Sequence, residues 1–352
     1  MADRTDDILS IVERARAAGT SLYIRGGDSK RGILGRECKA EPLDMTGHCG
    51  IVDYQPAELY LTARAGTPLA EIEAVLAEQQ QTLPCESPQL GTATLGGTLA
   101  CNLSGPARPW AGSIRDLAMG VQLVNGRGEL LTFGGKVMKN VAGYDVTRLQ
   151  AGALGTLGVI TELTVKVLPR PEHSLTLVYE MKAAQALDTM NRRAGESAPL
   201  SGACWLADRL YLRLAGATSA VAQTAASWGG EQHPGEHPVW QDVREMRLPC
   251  FDAAEPLWRF SVGSSAPITA DPAPVLIDWC GAQRWVRGDH DREVLQGRAT
   301  AAGGHVSLFR GGDRSGEVRP PLSRLEQGLQ RRLKQSFDPD GLFNPGRLYS
   351  WL

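Results

Sequence analysis

From position 159 to 167 the chain alternates. Val159, Thr161, Leu163, Val165 and Val167 fall on one face, and Ile160, Glu162, Thr164 and Lys166 on the other. A period of two, rich in β-branched residues, predicts a half-buried strand. The same alternation predicts a strand over 59–65, with Leu59, Leu61, Ala63 and Ala65 on one side, and shorter strands at LYIR (22–25) and over 50–54. MGVQLV and ELLTF flank the turn NGRG and predict a hairpin. Two helices interrupt these strands. One runs over about 6–18 with the stripe Ile8, Ile11, Val12 and Ala15, and stops at Gly19. The other starts at Thr67-Pro68, with Thr67 as N-cap and Pro68 in the first turn, and buries Leu69, Ile72, Val75 and Leu76.

After Pro169 and Pro171 the pattern changes. SLTLVYE reads as a strand, 183–193 as a helix, CWLADRLYLRL as two short strands turning near Asp208, and 218–228 as a helix. EQHPGEHPVW reads as a polar, proline-rich linker; strand PVLIDWCG, a helix over 292–302 and strand HVSLFRG follow. This order suits an antiparallel sheet with helices on one face. A last helix, 322–334, carries the stripe Leu322, Leu325, Leu329 and Leu333, and FDPDG and FNPGRLYSWL close the chain. The expected organisation is α+β: a first domain over 1–170, an antiparallel α+β cap domain over 171–318, and a helix and tail over 319–352 that pack back on the first domain.

The bulk numbers narrow the chemistry. A chain of 352 residues has room for two domains. Its net charge of −2, with no basic run, removes the electrostatic case for nucleic acid. The N-terminus is acidic and amphipathic and lacks a signal-peptide pattern. No apolar run reaches the ~18 residues of a membrane span, so any membrane association is expected to be peripheral or through a partner. The seven cysteines are scattered, with no C-x-x-C pair. That spacing predicts reduced thiols in a cytoplasmic protein and argues against an iron–sulfur cluster held by this chain.

Glycine is where candidate chemistry appears. RGGDSK (25–30), ATLGG (93–97) and GALGTLG (152–158) are three clusters in the first half. Around the second lies a charge-poor stretch, SPQLGTATLGGTLACNLSGPARPWAGSIRD, with almost no helix or strand periodicity. Each glycine costs about 0.5–1 kcal/mol against alanine in regular structure, so each answers to a turn or a close approach. Such loops present backbone N–H groups in concave nests that hold anionic oxygens. One cluster is most simply a turn; three in one domain point to a large phosphate-bearing ligand. RGGDSKRGILG lacks the Rossmann spacing, GALGTLG precedes a strand rather than a helix, and no G-x-x-x-x-G-K-[ST] occurs.

The order R-G-G-x-S, P-x-x-x-x-x-T-x-G-G, G-S-x-R-D, K-N-V-A-G-Y-D, G-T-L-G-V-I-T and finally F-N-P-G resembles the FAD-binding domain shared by vanillyl-alcohol oxidase and p-cresol methylhydroxylase. Within that superfamily the chain is most similar to the family of FAD-binding subunits of bacterial glycolate oxidase. The resemblance is strong over about 1–170 and in the tail, and weak between. It implies a two-subdomain FAD-binding fold and a set of roles. Gly26, Gly27, Asp28, Ser29 and Lys30 would form the pyrophosphate loop, continued by Thr94, Leu95, Gly96 and Gly97. Asn102 would lie nearer the flavin, Gly112 and Ser113 would line the cofactor, Gly158, Val159 and Ile160 would meet the adenosine end, and Asn344 would approach the isoalloxazine. It also implies a larger FAD-binding subunit and an iron–sulfur subunit as partners, a small 2-hydroxy acid such as glycolate as substrate, and peripheral attachment to the inner membrane through the partners. Two departures stand out. Asp28 occupies a position where relatives commonly have a third glycine, and no histidine is present in the loop to tether the cofactor, so non-covalent FAD is expected.

Oxidising a 2-hydroxy acid needs a base for the hydroxyl proton and a cation for the carboxylate. Related hydroxy-acid dehydrogenases carry an H-x-G-D-x-N-x-H metal motif; here the nearest text, HVSLFRGGDR, has the single histidine His305. No catalytic residue and no metal site are therefore assigned. HPGEHP is expected to be exposed, Arg284, Trp285 and Arg287 to form an exposed basic turn, and Trp240, Trp258 and Trp279 to be core or interface residues. A stand-alone FAD oxidoreductase and a non-catalytic scaffold, with Asp28 as its best support, stay open at this level.

Overall fold

A computed structural model describes residues 2–135, 144–251 and 255–352. Most of the K-N-V-A-G-Y-D motif lies outside the described residues. The chain divides into two compact units. One comprises Met1–Leu103, Ser113–Pro169 and Arg314–Leu352, the other Ser104–Gly112 and Arg170–Asp313. The changeovers fall at 169/170 and 313/314, and 104–112 groups with the second unit rather than the first.

The first unit is built on a five-stranded antiparallel sheet in the order Ile51–Gln55, Tyr60–Arg64, Val159–Lys166, Ala118–Val124, Leu130–Gly134. The alternating strand 159–166 is its centre. Six of its eight residues are buried, so it is covered on both faces rather than half-buried. Leu163 and Val165 pack against Leu69, Ile72 and Leu76 of helix Leu69–Glu78, and against Leu95 and Leu99 of helix Leu95–Cys101. On the other face Thr164 shares a hydrogen bond with Thr62, Oγ to Oγ, at 2.8 Å. Thr67 does not cap the helix that follows it. Its hydroxyl donates to Arg64 O and accepts from Gly50 N, which fixes the chain entering that helix.

A second core lies beside this sheet. Helix Thr5–Ala18 buries Ile8, Val12 and Ala15 against Leu22, Leu43, Leu342 and Phe343. Leu22–Arg25 pairs in parallel with Glu41–Asp44. The closing helix, Arg324–Phe337, begins with a capping box between Ser323 and Glu326. Its leucine stripe does not enter the core: Leu325 is 71% exposed and Leu329 45%. The helix is held at its other end by charge. Lys334 Nζ donates to Thr156 O, Asp338 Oδ2 and Phe343 O, at 2.8, 2.7 and 2.8 Å. Asp338 in turn accepts from the backbone N–H groups of Leu342 and Phe343. Burial pushes the Lys334 ammonium down from its ordinary pKa.

The second unit is an eight-stranded antiparallel sheet. Helices Ala183–Ala194 and Thr218–Trp228 pack on one face, where Leu210, Leu212 and Leu214 meet Ala186, Met190, Val221 and Ala225. The expected linker is not a linker. Glu231–Pro234 is the edge strand of the sheet, paired with His173–Glu180, and Pro238–Arg244 forms a helix. Trp240 of that helix stacks under the Arg213 guanidinium, 5.0 Å from its ring centre, and donates to Thr176 Oγ1 at 2.9 Å. Because Arg213 alternates with Leu212 and Leu214, this helix covers the opposite face, so helices lie on both. Nor is Arg284 in an exposed turn. It sits in strand Gln283–Arg287, 7% exposed, and its guanidinium donates to Gly281 O, Pro267 O and Ala266 O. Trp285 beside it is buried edge-on between Phe251 and Phe309.

Three outcomes follow from this packing. Lys334→Met leaves a buried carboxylate without its cation and should cost about 3–5 kcal/mol in denaturant unfolding. Leu329→Ala, on the exposed stripe, should stay within about 0.5 kcal/mol. His48 is buried in a neutral form. Its Nδ1 accepts from Arg4 N and its Nε2 faces Thr161 O. Burial lowers its pKa below the usual 6.5, so the unfolded chain binds the extra proton first. Stability should therefore fall as pH drops below 6.5, and His48→Gln should flatten that slope in melts run between pH 7 and 5.

Candidate functional site

Turns and loops of the first unit converge on one cleft. It encloses about 770 Å³ of atom-free space, its open mouth included, which is in the range of small-molecule sites. Gly26, Gly27, Asp28, Ser29, Lys30, Thr94, Gly96, Gly97, Gly158, Ile160 and Asn344 all line it. The three glycine clusters and the tail are thus brought together from four places in the sequence.

Contact between loops requires the glycines. A Cβ on Gly27 would stand 1.7 Å from Thr92 O, and one on Gly155 2.8 Å from Asn344 Nδ2. Of the two expected reasons for glycine, close approach holds at these positions: they let neighbouring loops close on one another, and the cleft is what the closure leaves. Thr92 Oγ1 seals the first contact by donating to Gly27 O at 2.7 Å. Asn344 seals the second. Its Oδ1 accepts from Ile24 N at 2.7 Å and its Nδ2 donates to Leu154 O at 2.6 Å.

Among the described residues, the backbone N–H groups of Gly26, Gly27, Asp28 and Ser29 have no acceptor. Successive unfilled donors in a turn make a nest for anionic oxygens. Lys30 adds a cation at 8% exposure, its Nζ 3.4 Å from Ser29 Oγ. Asp28 is the discordant charge. It takes the left-handed φ of +54°, a conformation aspartate tolerates better than most residues. Its carboxylate is held by protein partners: Tyr23 donates its hydroxyl to Oδ1 at 2.7 Å, and Arg31 Nη1 lies 3.5 Å from Oδ2. Burial, and then that bond to Asp28, push the Tyr23 hydroxyl well above its ordinary range, so it stays a donor.

Other expected residues do not line the cleft. Leu95 and Val159 are fully buried in the core. Ser113 is engaged by Asp116 through both its backbone N–H and its hydroxyl, and Gly112, at φ +73°, closes the short helix Arg108–Ala111 in the second unit. Asn102 ends helix Leu95–Cys101 at φ +49°, and its Oδ1 is buried with no partner among the described residues. The sequence reading missed Tyr23, Cys101 and Arg347, which line the cleft together with Arg31. Arg347 lies three residues beyond Asn344, and its guanidinium donates to Arg31 O and Arg36 O. Burial raises the Cys101 thiol, keeping it neutral. The R of F-N-P-G-R was a legible signal; Tyr23 and Cys101 had none, because each looks like a core residue of its own element.

A family model described as "FAD binding domain" matches residues 1–134. The chain is 44% identical over 352 residues to the glycolate oxidase subunit GlcE of Escherichia coli (strain K12), covering 99% of both chains. It is 36% identical over 120 residues to the glycolate oxidase subunit GlcD of Bacillus subtilis (strain 168), covering 34% of this chain and 26% of that one. Among solved structures, an alkyldihydroxyacetonephosphate synthase superposes with a TM-score of 0.67 at 16% identity, over 97% of this chain and 74% of that one, which shows the fold. The cofactor is FAD, and a cleft with a donor nest and a buried cation fits a dinucleotide carrying a diphosphate.

Lys30→Met should weaken FAD retention about tenfold or more, the scale of one charge-assisted hydrogen bond, read as flavin absorbance per chain after dialysis. Gly27→Ala should yield chain with little flavin, because the 26–30 loop cannot close on Thr92.

Proposed function

The chain belongs to the family of glycolate oxidase GlcE subunits, and from that membership we propose that it is the FAD-holding GlcE-type subunit of an assembly that oxidises glycolate to glyoxylate. Bound FAD supplies a two-electron acceptor for an alcohol carbon and a donor to the next carrier. The chain's own residues bind and orient it. The N–H groups of residues 26–29 and the Lys30 ammonium neutralise the diphosphate, continued by Thr94, Gly96 and Gly97, with Leu95 anchoring that turn in the core. Gly158, Val159 and Ile160 hold the adenosine end through backbone atoms. Asn102 and Asn344 serve the flavin end. The observation that carries this reading is the cleft itself, with four neighbouring N–H groups left without acceptors among the described residues.

The cofactor is held non-covalently, since the 25–31 loop offers no histidine for a tether. A larger FAD-binding subunit and an iron–sulfur subunit complete the assembly. In support, the chain is similar to relatives named as two different subunits of glycolate oxidase. Among the described residues no helix is long and apolar enough to cross a membrane; contact with the inner membrane from the cytoplasmic side runs through the partner subunits. The position of Asp28 argues for a working cofactor site rather than a relic, because Tyr23 and Arg31 hold its charge.

Purified chain should be yellow and release its flavin completely on acid precipitation; colour left in the pellet would contradict the non-covalent reading. An anaerobic titration with glycolate should bleach the flavin in the co-purified assembly. A colourless chain that takes up no added FAD would overturn the function proposed.

A further inference from the structure

The second unit holds a cavity of its own, about 860 Å³ of atom-free space with its mouth included, lined among others by Arg108, Trp110, Ser264, Trp279, Cys280 and Ala282. Its walls are apolar and aromatic apart from Arg108 and Ser264. The Arg108 guanidinium lies over the Trp279 indole, 5.1 Å from the ring centre. Among the described residues it has no hydrogen-bond or ion-pair partner. A guanidinium keeps its charge at any physiological pH, and stacking occupies its face while leaving its forked edge of N–H donors open. A carboxylate on that edge would gain two parallel charge-assisted hydrogen bonds.

The backbone around the indole is built for position rather than economy. Trp279 and Cys280 take left-handed φ values of +53° and +54°, followed by Gly281 at +98°. Successive non-glycine residues in that region persist where the surroundings over-determine them, and they concentrate at ligand sites. Here the surroundings do so. Asp278 Oδ1 accepts from Trp279 N at 2.8 Å, and the Trp279 Nε1–H donates to Gly105 O at 3.0 Å. Asn191 Nδ2 donates to both Ser264 O and Cys280 O at 3.2 Å. A Cβ on Gly281 would stand 2.2 Å from Leu187 Cδ1, so the turn is locked against the helix behind it. Both the indole and the segment carrying Arg108 are thereby fixed before any ligand arrives.

We propose that this cavity is a binding site for a small organic carboxylate with a planar apolar body, its carboxylate on the Arg108 fork and its body against Trp110 and Trp279. The inference rests on the second unit alone and stands whichever substrate the flavin serves.

Isothermal titration of the FAD-loaded chain with sodium benzoate tests it, with benzamide as the uncharged isostere. Benzoate should bind saturably, and benzamide about tenfold or more weaker. Arg108→Gln should lose benzoate affinity by a similar factor with flavin content and melting temperature unchanged, and Arg108→Lys should fall between. Absence of saturable heat would overturn the proposal, including the case where the cavity receives an acidic side chain of a partner instead. So would equal binding of benzamide. Benzoate binding undiminished in Arg108→Gln would place the ligand elsewhere and overturn it too; should that variant fail to fold, the benzoate–benzamide comparison on the unmodified chain decides.

Discussion

A buried ammonium organises the first unit. Lys334 is 8% exposed and Asp338 1%. A lysine can lie this deep only if each of its three donors finds an acceptor, and here each does. The three acceptors come from separate places: the turn of the 152–158 loop, the carboxylate one helical turn on, and the carbonyl just before Asn344. Desolvation makes any partial version of this arrangement expensive, so the closing helix, the tail and the third glycine loop must settle together. Asn344 then follows by one residue, and its amide spans Ile24 and Leu154. The geometry of the cleft depends on that chain of contacts more than on any apolar face of the helix.

Loop closure explains why the chain spends glycine where it does. Bare backbone at Gly27 and Gly155 lets one loop lie against the next at distances a side chain would forbid. Closure packs the loops on one another and leaves the N–H groups of residues 26–29 without acceptors among the described residues, where a nest can favour an anion without a large net charge. The discordant carboxylate of Asp28 is accommodated in the same spirit: the hydroxyl of Tyr23 and the guanidinium of Arg31 take it up. A position that glycine commonly fills is thus occupied by an aspartate with partners of its own.

Much of this was legible along the chain, and the failures have physical causes. Alternation located the strand 159–166, but it cannot tell a sheet's centre from its edge, so a strand covered on both faces looked half-buried. The stripe of Leu322, Leu325, Leu329 and Leu333 predicted a helix correctly and its buried face wrongly, because Lys334 and not the leucines ties it down. Prolines and histidines in EQHPGEHPVW suggested a linker; Pro234 sits on an edge strand and Pro238 at a helix start, two positions where a missing N–H costs nothing. Arg284 looked exposed because arginine usually is, and nothing in one sequence shows that three backbone carbonyls await it. Glycine clustering marked the cleft at Gly26, Gly27, Gly96, Gly97 and Gly158. It carried no information about Tyr23, Cys101 or Arg347, whose side chains reach the cleft only through the fold.

If separate bends wrap one nucleotide, binding must be felt by all of them at once. Amide hydrogen exchange, comparing FAD-loaded with flavin-stripped chain, measures this directly. Protection should rise together in residues 24–31, 93–101, 152–160 and 342–347. Protection confined to one of these segments, or appearing mainly outside them, would contradict a shared cleft.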